Sequence, residues 1–159
     1  MTDPVYVAVV GPGVASPEEE AWAEELGGRL AAAGAMVVCG GSTGVMEAVA
    51  RGCEAGGGTC IGILPGSDRR EGNPHLTFSL PTGMGELRNA LIARVADVVV
   101  AVGGEFGTLS EIAFALKIGR PVVGLATWDL VRRGEPVPGI HRAESPEEAV
   151  AAALGLARD

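Results

Sequence analysis

A glutamate, Glu111, stands near the start of a predicted helix that follows a glycine-rich turn. The apolar run at residues 97–102, the turn at 103–108 and the periodic pattern that Thr108 opens predict a buried strand, a loop and a helix. N–H groups at such a helix start are unpaired and lie at the positive end of the helix dipole, so the turn suits an anion such as a phosphate. The glycines allow the backbone to approach that anion closely.

The spacing of the residues also allows a purely structural role for Glu111 and for Arg88. Thr108 and Glu111 also fit a capping box, in which their side chains satisfy backbone donors of the first helical turn. Arg88 lies in the first turn of a predicted helix over 85–96, where a cation opposes the helix dipole, so something anionic should lie near it. That anion is either a ligand or a neighbouring carboxylate, Glu86 or Glu111.

The elements that must position these residues follow one another in regular alternation. Ser16 and Ser145, each followed by proline and two glutamates, predict the starts of two helices, and Gly34 ends the first. Residues 67–85 are polar and rich in turns, which predicts a lid-like loop, and 128–139 are predicted to be irregular. The predicted strands are 5–10, 35–39, 59–64, 97–102, 122–125 and a short edge strand at 140–143, and the other helices are 45–55, 85–96 and 108–119.

This alternation predicts an α/β fold of the Rossmann-like type, a doubly wound parallel sheet flanked by helices in three layers, because the strands are apolar on both faces. We expect one domain over residues 1–159. With the first five strands in the order 3-2-1-4-5, the turn at Gly11 and Gly13 and the turn at 103–108 flank the crevice where the order reverses. The turn at 40–44 lies beside them.

Composition limits the classes of partner. The formal net charge of −8 argues against nucleic acid or an anionic membrane surface as a partner. The start lacks a basic signal region, and no run approaches the ~18 apolar residues of a membrane span, which predicts a cytoplasmic protein. Cys39, Cys53 and Cys60 show neither a disulfide framework nor zinc-ligand spacing. Cys39 and Cys60 lie in apolar, strand-like runs, so we expect these two to be buried free thiols, and we expect no metal.

Two common nucleotide motifs do not fit. The first turn, Gly11-Pro12-Gly13-Val14-Ala15-Ser16, lacks the third glycine of the dinucleotide fingerprint, and Cys39-Gly40 replaces the acidic residue that would bind the ribose. A P-loop needs a lysine beside Ser or Thr, whereas the one lysine, Lys117, lies within a predicted helix. There remains a mononucleotide-like site of backbone donors with Arg88, Asn89 and Glu111, for which no cofactor is expected.

Four motifs in order resemble the Lonely-Guy (LOG) superfamily, whose best-known members are cytokinin riboside 5′-monophosphate phosphoribohydrolases. Gly103 and Glu105 depart from the family's P-G-G-x-G-T-x-x-E signature, and Asn89 replaces the usual lysine, which brings the chain closer to a sub-branch near molybdenum cofactor carrier proteins and the DNA-processing protein DprA. Glu105 either repels a phosphate or points into solvent. The motifs are Gly40-Gly41-Ser42-Thr43-Gly44-Val45-Met46, Ile61-Gly62-Ile63-Leu64-Pro65-Gly66, Gly85-Glu86-Leu87-Arg88-Asn89 and Gly103-Gly104-Glu105-Phe106-Gly107-Thr108-Leu109-Ser110-Glu111.

The resemblance implies hydrolysis of the base–ribose bond of a nucleoside 5′-monophosphate. Glu111 would stabilise positive charge or activate water, and Arg88 would orient the phosphosugar or the leaving base. The resemblance also implies a homodimer or higher homo-oligomer. A carrier or sensor of a phosphorylated pterin or nucleotide, such as molybdenum cofactor, is the alternative, and a structural member without a ligand is a third. The expected ligand-binding residues are Gly11, Gly13, Gly40, Gly41, Ser42, Thr43, Met46, Asn89, Gly103, Gly104, Glu105, Phe106, Gly107 and Thr108.

Overall fold

A seven-stranded parallel sheet forms the centre of the computed structural model, which describes residues 2–159. The strands are β1 (Tyr6–Val10), β2 (Met36–Cys39), β3 (Thr59–Leu64), β4 (Phe78–Pro81), β5 (Val98–Val102), β6 (Val122–Leu125), β7 (Val131–Arg132), β8 (Glu135–Pro136) and β9 (Ile140–Ala143). The helices are α1 (Pro17–Ala32), α2 (Val45–Ala55), α3 (Asn89–Val95), α4 (Phe106–Lys117) and α5 (Pro146–Ala157), with short 3-10 turns at Arg69–Glu71 and Gly85–Arg88.

The strand order is β4-β3-β2-β1-β5-β6-β9, and every neighbouring pair in this sheet is parallel. The predicted order of the first five strands is therefore confirmed, and the reversal falls between β1 and β5. The predicted edge strand at 140–143 is also confirmed as β9, which pairs with β6. This arrangement confirms the predicted Rossmann-like α/β fold.

Alternate residues of the buried strands divide the core into two layers. Val7 and Val9 of β1 face α1, α2 and α5, whereas Ala8 and Val10 face α3 and α4. All five residues of β5 are buried, as expected for a strand covered by helices on both faces. The central strands therefore hold the crevice above their carboxyl ends in a rigid frame.

The predicted helix start at Ser16 is confirmed. Its hydroxyl accepts a hydrogen bond from Glu19 N at 3.1 Å, and Ser16 N donates to the Glu19 carboxylate at 2.9 Å, which completes a capping box. Ser145 also caps its helix, through the hydrogen bond from Glu148 N at 3.1 Å.

Four sequence-based assignments were wrong. Residues 67–85 are not only a loop, because 78–81 form β4 and Thr77 N bonds to Cys60 O at 2.8 Å. The helix predicted over 85–96 begins as a 3-10 turn, and α3 starts at Asn89. Helix α4 begins at Phe106, two residues before Thr108. Within 128–139, β7 and β8 form a short antiparallel hairpin.

Among residues 2–159 no helix is long and apolar enough to cross a membrane. Cys39 and Cys60 are buried free thiols, as the sequence predicts, and Cys53 is a third. The sulfur atoms of Cys39 and Cys60 lie 3.8 Å apart.

Candidate functional site

A cleft of about 250 Å³ opens at the carboxyl ends of β1 and β5, where the strand order reverses. It is the crevice that the sequence predicts for ligand binding. Loops that follow several different strands contribute to its walls, which is how a parallel sheet brings distant parts of a chain together. The lining residues are Val10, Gly11, Pro12, Gly13, Met46, Pro65, Glu86, Arg88, Asn89, Glu105, Gly107, Thr108 and Glu111.

The amino terminus of α4 forms one wall of this cleft. The first backbone hydrogen bond of the helix runs from Leu109 N to Glu105 O at 3.0 Å, so the amides of Phe106, Gly107 and Thr108 have no partner within the helix. Thr108 is only 2% exposed, and its hydroxyl has no hydrogen-bond partner among residues 2–159. These donors, with the helix dipole, form a cradle suited to an anion.

The capping-box interpretation of Thr108 and Glu111 was wrong. The N-cap residue of α4 is Glu105, and its side chain makes no capping hydrogen bond. Thr108 lies inside the first turn, so its side chain is available to the cleft. The side chain of Glu105 is exposed at the mouth of the cleft.

Arg88 is held in place by neutral acceptors. Its Nε donates to Ile63 O at 2.8 Å, and its Nη2 donates to Gly40 O at 3.3 Å. Its Nη1 donates to the side-chain oxygen of Asn89. None of the ion pairs among residues 2–159 involves Arg88, so the alternative of a simple ion pair with Glu86 or Glu111 was wrong.

Gly40 fixes the depth at which Arg88 lies. A Cβ atom at this position would stand 2.8 Å from Arg88 Nη2 and 2.6 Å from Met46 Sδ, so only glycine allows this packing. Arg88 is 9% exposed, and its burial lowers the pKa of the guanidinium while the nearby Glu111 raises it. An arginine remains charged under these conditions. The cleft therefore contains one fixed positive charge.

Glu111 faces the same cleft from α4, one turn after Thr108. The residue is 7% exposed, and burial raises the pKa of its carboxyl to about 8, although Arg88 lowers it. No hydrogen bond to its side chain occurs among the other residues of 2–159. At neutral pH the group is therefore mostly a neutral carboxylic acid that holds a proton inside the cleft.

Several predicted ligand residues lie behind the cleft. Thr43 Oγ1 donates to Gly13 O at 2.8 Å, and the carbonyl groups of Gly41 and Ser42 accept hydrogen bonds from Asn73 at 2.9 and 3.0 Å. These contacts, with Gly40, shape the turn between β2 and α2. They do not line the cleft.

Around α4, Gly103, Gly104 and the side chain of Phe106 also do not line the cleft. Gly103 packs against Glu19 and Gly104 against Trp128. Phe106 is 78% exposed and stacks on Trp128. The predicted residues that do meet at the cleft are Gly11, Gly13, Met46, Arg88, Asn89, Glu105, Gly107, Thr108 and Glu111.

Sequence reasoning missed Val10, Pro12, Pro65 and Glu86 as lining residues. Pro65 and Glu86 belong to the motifs at 61–66 and 85–89 that resemble the LOG superfamily, so their place within these motifs was the available signal. Ser110 was also missed. It does not line the cleft, but it accepts a hydrogen bond from Asn89 Nδ2 at 3.0 Å and donates one to Gly107 O at 2.6 Å.

Comparison with known proteins defines the class. Residues 4–150 match the model of the SLOG cluster4 family, and the chain therefore belongs to that family. An uncharacterised protein of Archaeoglobus fulgidus is 36% identical over 148 residues, 92% of each chain. The cytokinin riboside 5′-monophosphate phosphoribohydrolase LOG of rice is 40% identical over 94 residues, 57% of this chain. The chain spans only 38% of the length of that rice enzyme.

Solved structures extend the comparison to the whole chain. The molybdenum cofactor binding protein of Rippkaea orientalis superposes with a TM-score of 0.88 at 31% identity, covering 98% of this chain and 99% of that one. The molybdenum cofactor carrier protein of Chlamydomonas reinhardtii superposes with a TM-score of 0.85 at 31% identity, covering 99% of this chain and 100% of that one. DNA processing protein A of Streptococcus pneumoniae shares the fold. It superposes with a TM-score of 0.69 at 20% identity, covering 93% of this chain and 61% of that one. The predicted LOG-like sub-branch is confirmed.

Proposed function

We propose that this protein hydrolyses the base–ribose bond of a nucleoside 5′-monophosphate. The observation that carries the proposal is the buried Glu111, which shares one cleft with an anion cradle and with Arg88. A nucleotide needs both parts, because its phosphate must be held while its base departs. The partial similarity to the rice phosphoribohydrolase supports the same reaction.

The phosphate would bind at the amino terminus of α4. The amides of Phe106 to Thr108 and the unpaired Thr108 hydroxyl supply donors without any lysine. A neutral Glu111 adds no repulsion to the bound dianion. Glu105 and Glu86 also line the cleft. Their carboxylates would repel a phosphate outside the cradle, so a nucleotide would bind in one defined orientation.

Glu111 would act first as a general acid. As the C–N bond to the base breaks, the ribose acquires oxocarbenium character, and the departing nitrogen takes the proton of the Glu111 carboxyl. The resulting carboxylate is stabilised by the charge of Arg88. It then accepts a proton from the water that adds to the sugar carbon, which yields ribose 5-phosphate, free base and the protonated Glu111 again. A pKa of about 8 suits both steps near neutral pH.

The test is release of free base from a panel of nucleoside 5′-monophosphates, with Glu111→Gln as the isosteric variant. Loss of the carboxyl proton should lower kcat by about 10²-fold or more, as for other positioned general acids. Nucleotide binding should remain. Glu135→Gln, on the exposed strand β8, is the matched control and should release base like the parent protein. Full activity in Glu111→Gln would disprove the catalytic role.

A carrier of a phosphorylated pterin or nucleotide is the second candidate. The molybdenum cofactor binding and carrier proteins match this chain along its whole length, whereas the rice enzyme matches little more than half of it. The same cradle holds a ligand without reaction if Glu111 only keeps the site neutral. In that case no nucleotide releases base, yet a phosphorylated ligand raises the melting temperature of the protein.

A homodimer or higher homo-oligomer is part of the proposal. Leu87, Val95 and Phe114, which lie on the 3-10 turn, α3 and α4, are 71%, 44% and 39% exposed. Apolar side chains of this size on neighbouring elements favour a protein partner. Light scattering after size-exclusion chromatography should give at least twice the chain mass, and Leu87→Glu should reduce it. A monomer at all concentrations would contradict this part.

Cytoplasmic localisation is also part of the proposal. Three buried cysteines that remain thiols are typical of proteins in reducing compartments. Cell fractionation with an antibody against the native protein tests this placement.

A further inference from the structure

A second cleft, which we call the tryptophan cleft, lies beside the anion cradle on the same edge of the sheet. It has a volume of about 230 Å³ and opens at the carboxyl ends of β6 and β9. Trp22 of α1 and Trp128 both line it, and they are the two tryptophans of the chain. Its polar walls come from Asp129, Arg142 and Glu144.

An aromatic pair separates the tryptophan cleft from the cradle. The rings of Trp128 and Phe106 stack with centroids 5.9 Å apart and an interplanar angle of 28°. Phe106 stands between Glu105 and Gly107, which line the cradle, and the indole N–H of Trp128 donates to Glu105 O at 3.3 Å. The two clefts therefore adjoin, and Phe106 remains 78% exposed between them.

Two neighbouring residues that line the tryptophan cleft, Ala126 and Thr127, are unusual. Ala126 has a φ of +51°, in the left-handed region that non-glycine residues rarely adopt. The hydroxyl of its neighbour Thr127 is buried without a hydrogen-bond partner among residues 2–159. Backbone strain and unpaired polar groups concentrate where a ligand is bound.

The side chains that line the tryptophan cleft indicate which chemical groups a ligand would have. Indole faces stack on planar heterocycles, and carboxylates accept hydrogen bonds from ribose hydroxyls. Arg142 is paired with Asp129, and Glu144 adds a further negative charge. This balance opposes a free phosphate group and suits an uncharged nucleoside.

We propose that the tryptophan cleft binds a second nucleoside. The preferred ligand is then a 5′-nucleotide whose phosphate group is linked to another nucleoside. The inference rests on the proposed phosphate cradle. One phosphorylated half occupies the cradle, the phosphate link passes Phe106, and the second heterocycle stacks on Trp22, because the ring of Trp128 already stacks on Phe106. The carboxylates that follow β6 and β9, Asp129 and Glu144, line the tryptophan cleft and accept hydrogen bonds from the hydroxyl groups of the second ribose.

The test compares AMP, ADP and P1,P2-di(adenosine-5′) diphosphate by calorimetry and by tryptophan fluorescence. Base stacking predicts that the two-nucleoside probe binds about ten-fold tighter than AMP or more. ADP controls for the added phosphate and should gain less. In Trp128→Phe, Trp22 is the only tryptophan, and its fluorescence should respond to the two-nucleoside probe but not to AMP.

Substitutions at Trp22 separate ring stacking from volume. Trp22→Leu should remove the ten-fold advantage while AMP affinity is retained, and Trp22→Phe should preserve most of the advantage. Arg158→Ala, at the far carboxyl-terminal end of the chain, is the charge-changing control and should alter neither affinity. Circular dichroism melting checks each variant. If Trp22→Leu fails to fold, the fluorescence of Trp22 in the Trp128→Phe variant still decides the question.

The possible results distinguish this inference from the proposed function. If AMP binds but the two-nucleoside probe gains no affinity and leaves Trp22 fluorescence unchanged, the tryptophan cleft is not a subsite and the cradle stands. If the two-nucleoside probe binds equally well after Thr108→Val, the cradle assignment is wrong. If no phosphorylated probe binds, both proposals are overturned.

Discussion

Asn89 and Ser110 are joined by a hydrogen bond of 3.0 Å that ties Arg88 to the first turn of α4. Arg88 Nη1 donates to the Asn89 oxygen, the Asn89 amide donates to Ser110, and Ser110 donates to Gly107 O at 2.6 Å. The guanidinium and the anion cradle are thus parts of one hydrogen-bonded chain. A change at any member of the chain should disturb both.

Replacement of Asn89 by leucine should break this chain at its centre. Buried Arg88 loses an acceptor and Ser110 loses a donor, so the free energy of unfolding should fall by about 1–3 kcal/mol. Urea unfolding measures the loss. Ser110→Ala, which leaves the contact between Arg88 and Asn89 intact, should cost less. Equal losses in the two variants would show that Asn89 does not support Arg88.

Glu111 should make both stability and base release depend on pH. Its carboxyl keeps its proton to about pH 8 in the folded protein, whereas the ordinary value is 4.5. The folded state binds more protons across that range, so the free energy of unfolding falls as the pH rises through it. Glu111→Gln should lose this slope and be more stable than the parent at the upper end. Base release by the parent protein should decline above about pH 8.

Gly40→Ala should displace Arg88 without a change in charge. The added methyl group would lie 2.8 Å from Arg88 Nη2 and 2.6 Å from Met46 Sδ, so one of the two side chains must move. Overpacking of this kind costs about 1–3 kcal/mol, and base release should fall further than stability alone explains. Gly155→Ala is the matched control, because nothing lies within 4 Å of its added Cβ in α5. It should be neutral or stabilising by about 0.5–1 kcal/mol.

Thr108→Val should separate stability from phosphate binding. The variant removes a buried hydroxyl that has no partner among residues 2–159, so the melting temperature without ligand should stay constant or rise. Affinity for AMP should fall by about ten- to hundred-fold, because one hydrogen bond to a charged group contributes about 1.5–3 kcal/mol. Thr43→Val provides the contrast. It loses the hydrogen bond to Gly13 O at 2.8 Å and should lower stability.

The order of the central strands was predictable because uninterrupted apolar runs mark strands that are buried on both faces. Strand β4 lacks that mark. Phe78 and Leu80 are 55% and 48% exposed at the sheet edge, and polar turns surround them. The start of α4 was also missed, because Glu105 serves as N-cap without a side-chain hydrogen bond.

The candidate site was predictable where short motifs carry the chemistry and unpredictable where packing decides. Arg88, Thr108 and Glu111 could be selected from their motifs. The contact of Gly40 with Arg88 joins residues 48 positions apart and depends on the turns after β2 and β3 being in place. Trp128 belongs to an irregular segment without periodicity, so no spacing indicates its contact with Phe106.

The three protein acceptors of Arg88 orient its guanidinium before a ligand binds. A guanidinium carries five N–H groups, and one bond from each of its three nitrogens already fixes its plane before any molecule arrives. Association therefore does not require a long, freely rotating side chain to lose its rotamer entropy, and the electric field that an incoming nucleotide experiences is present from the first encounter.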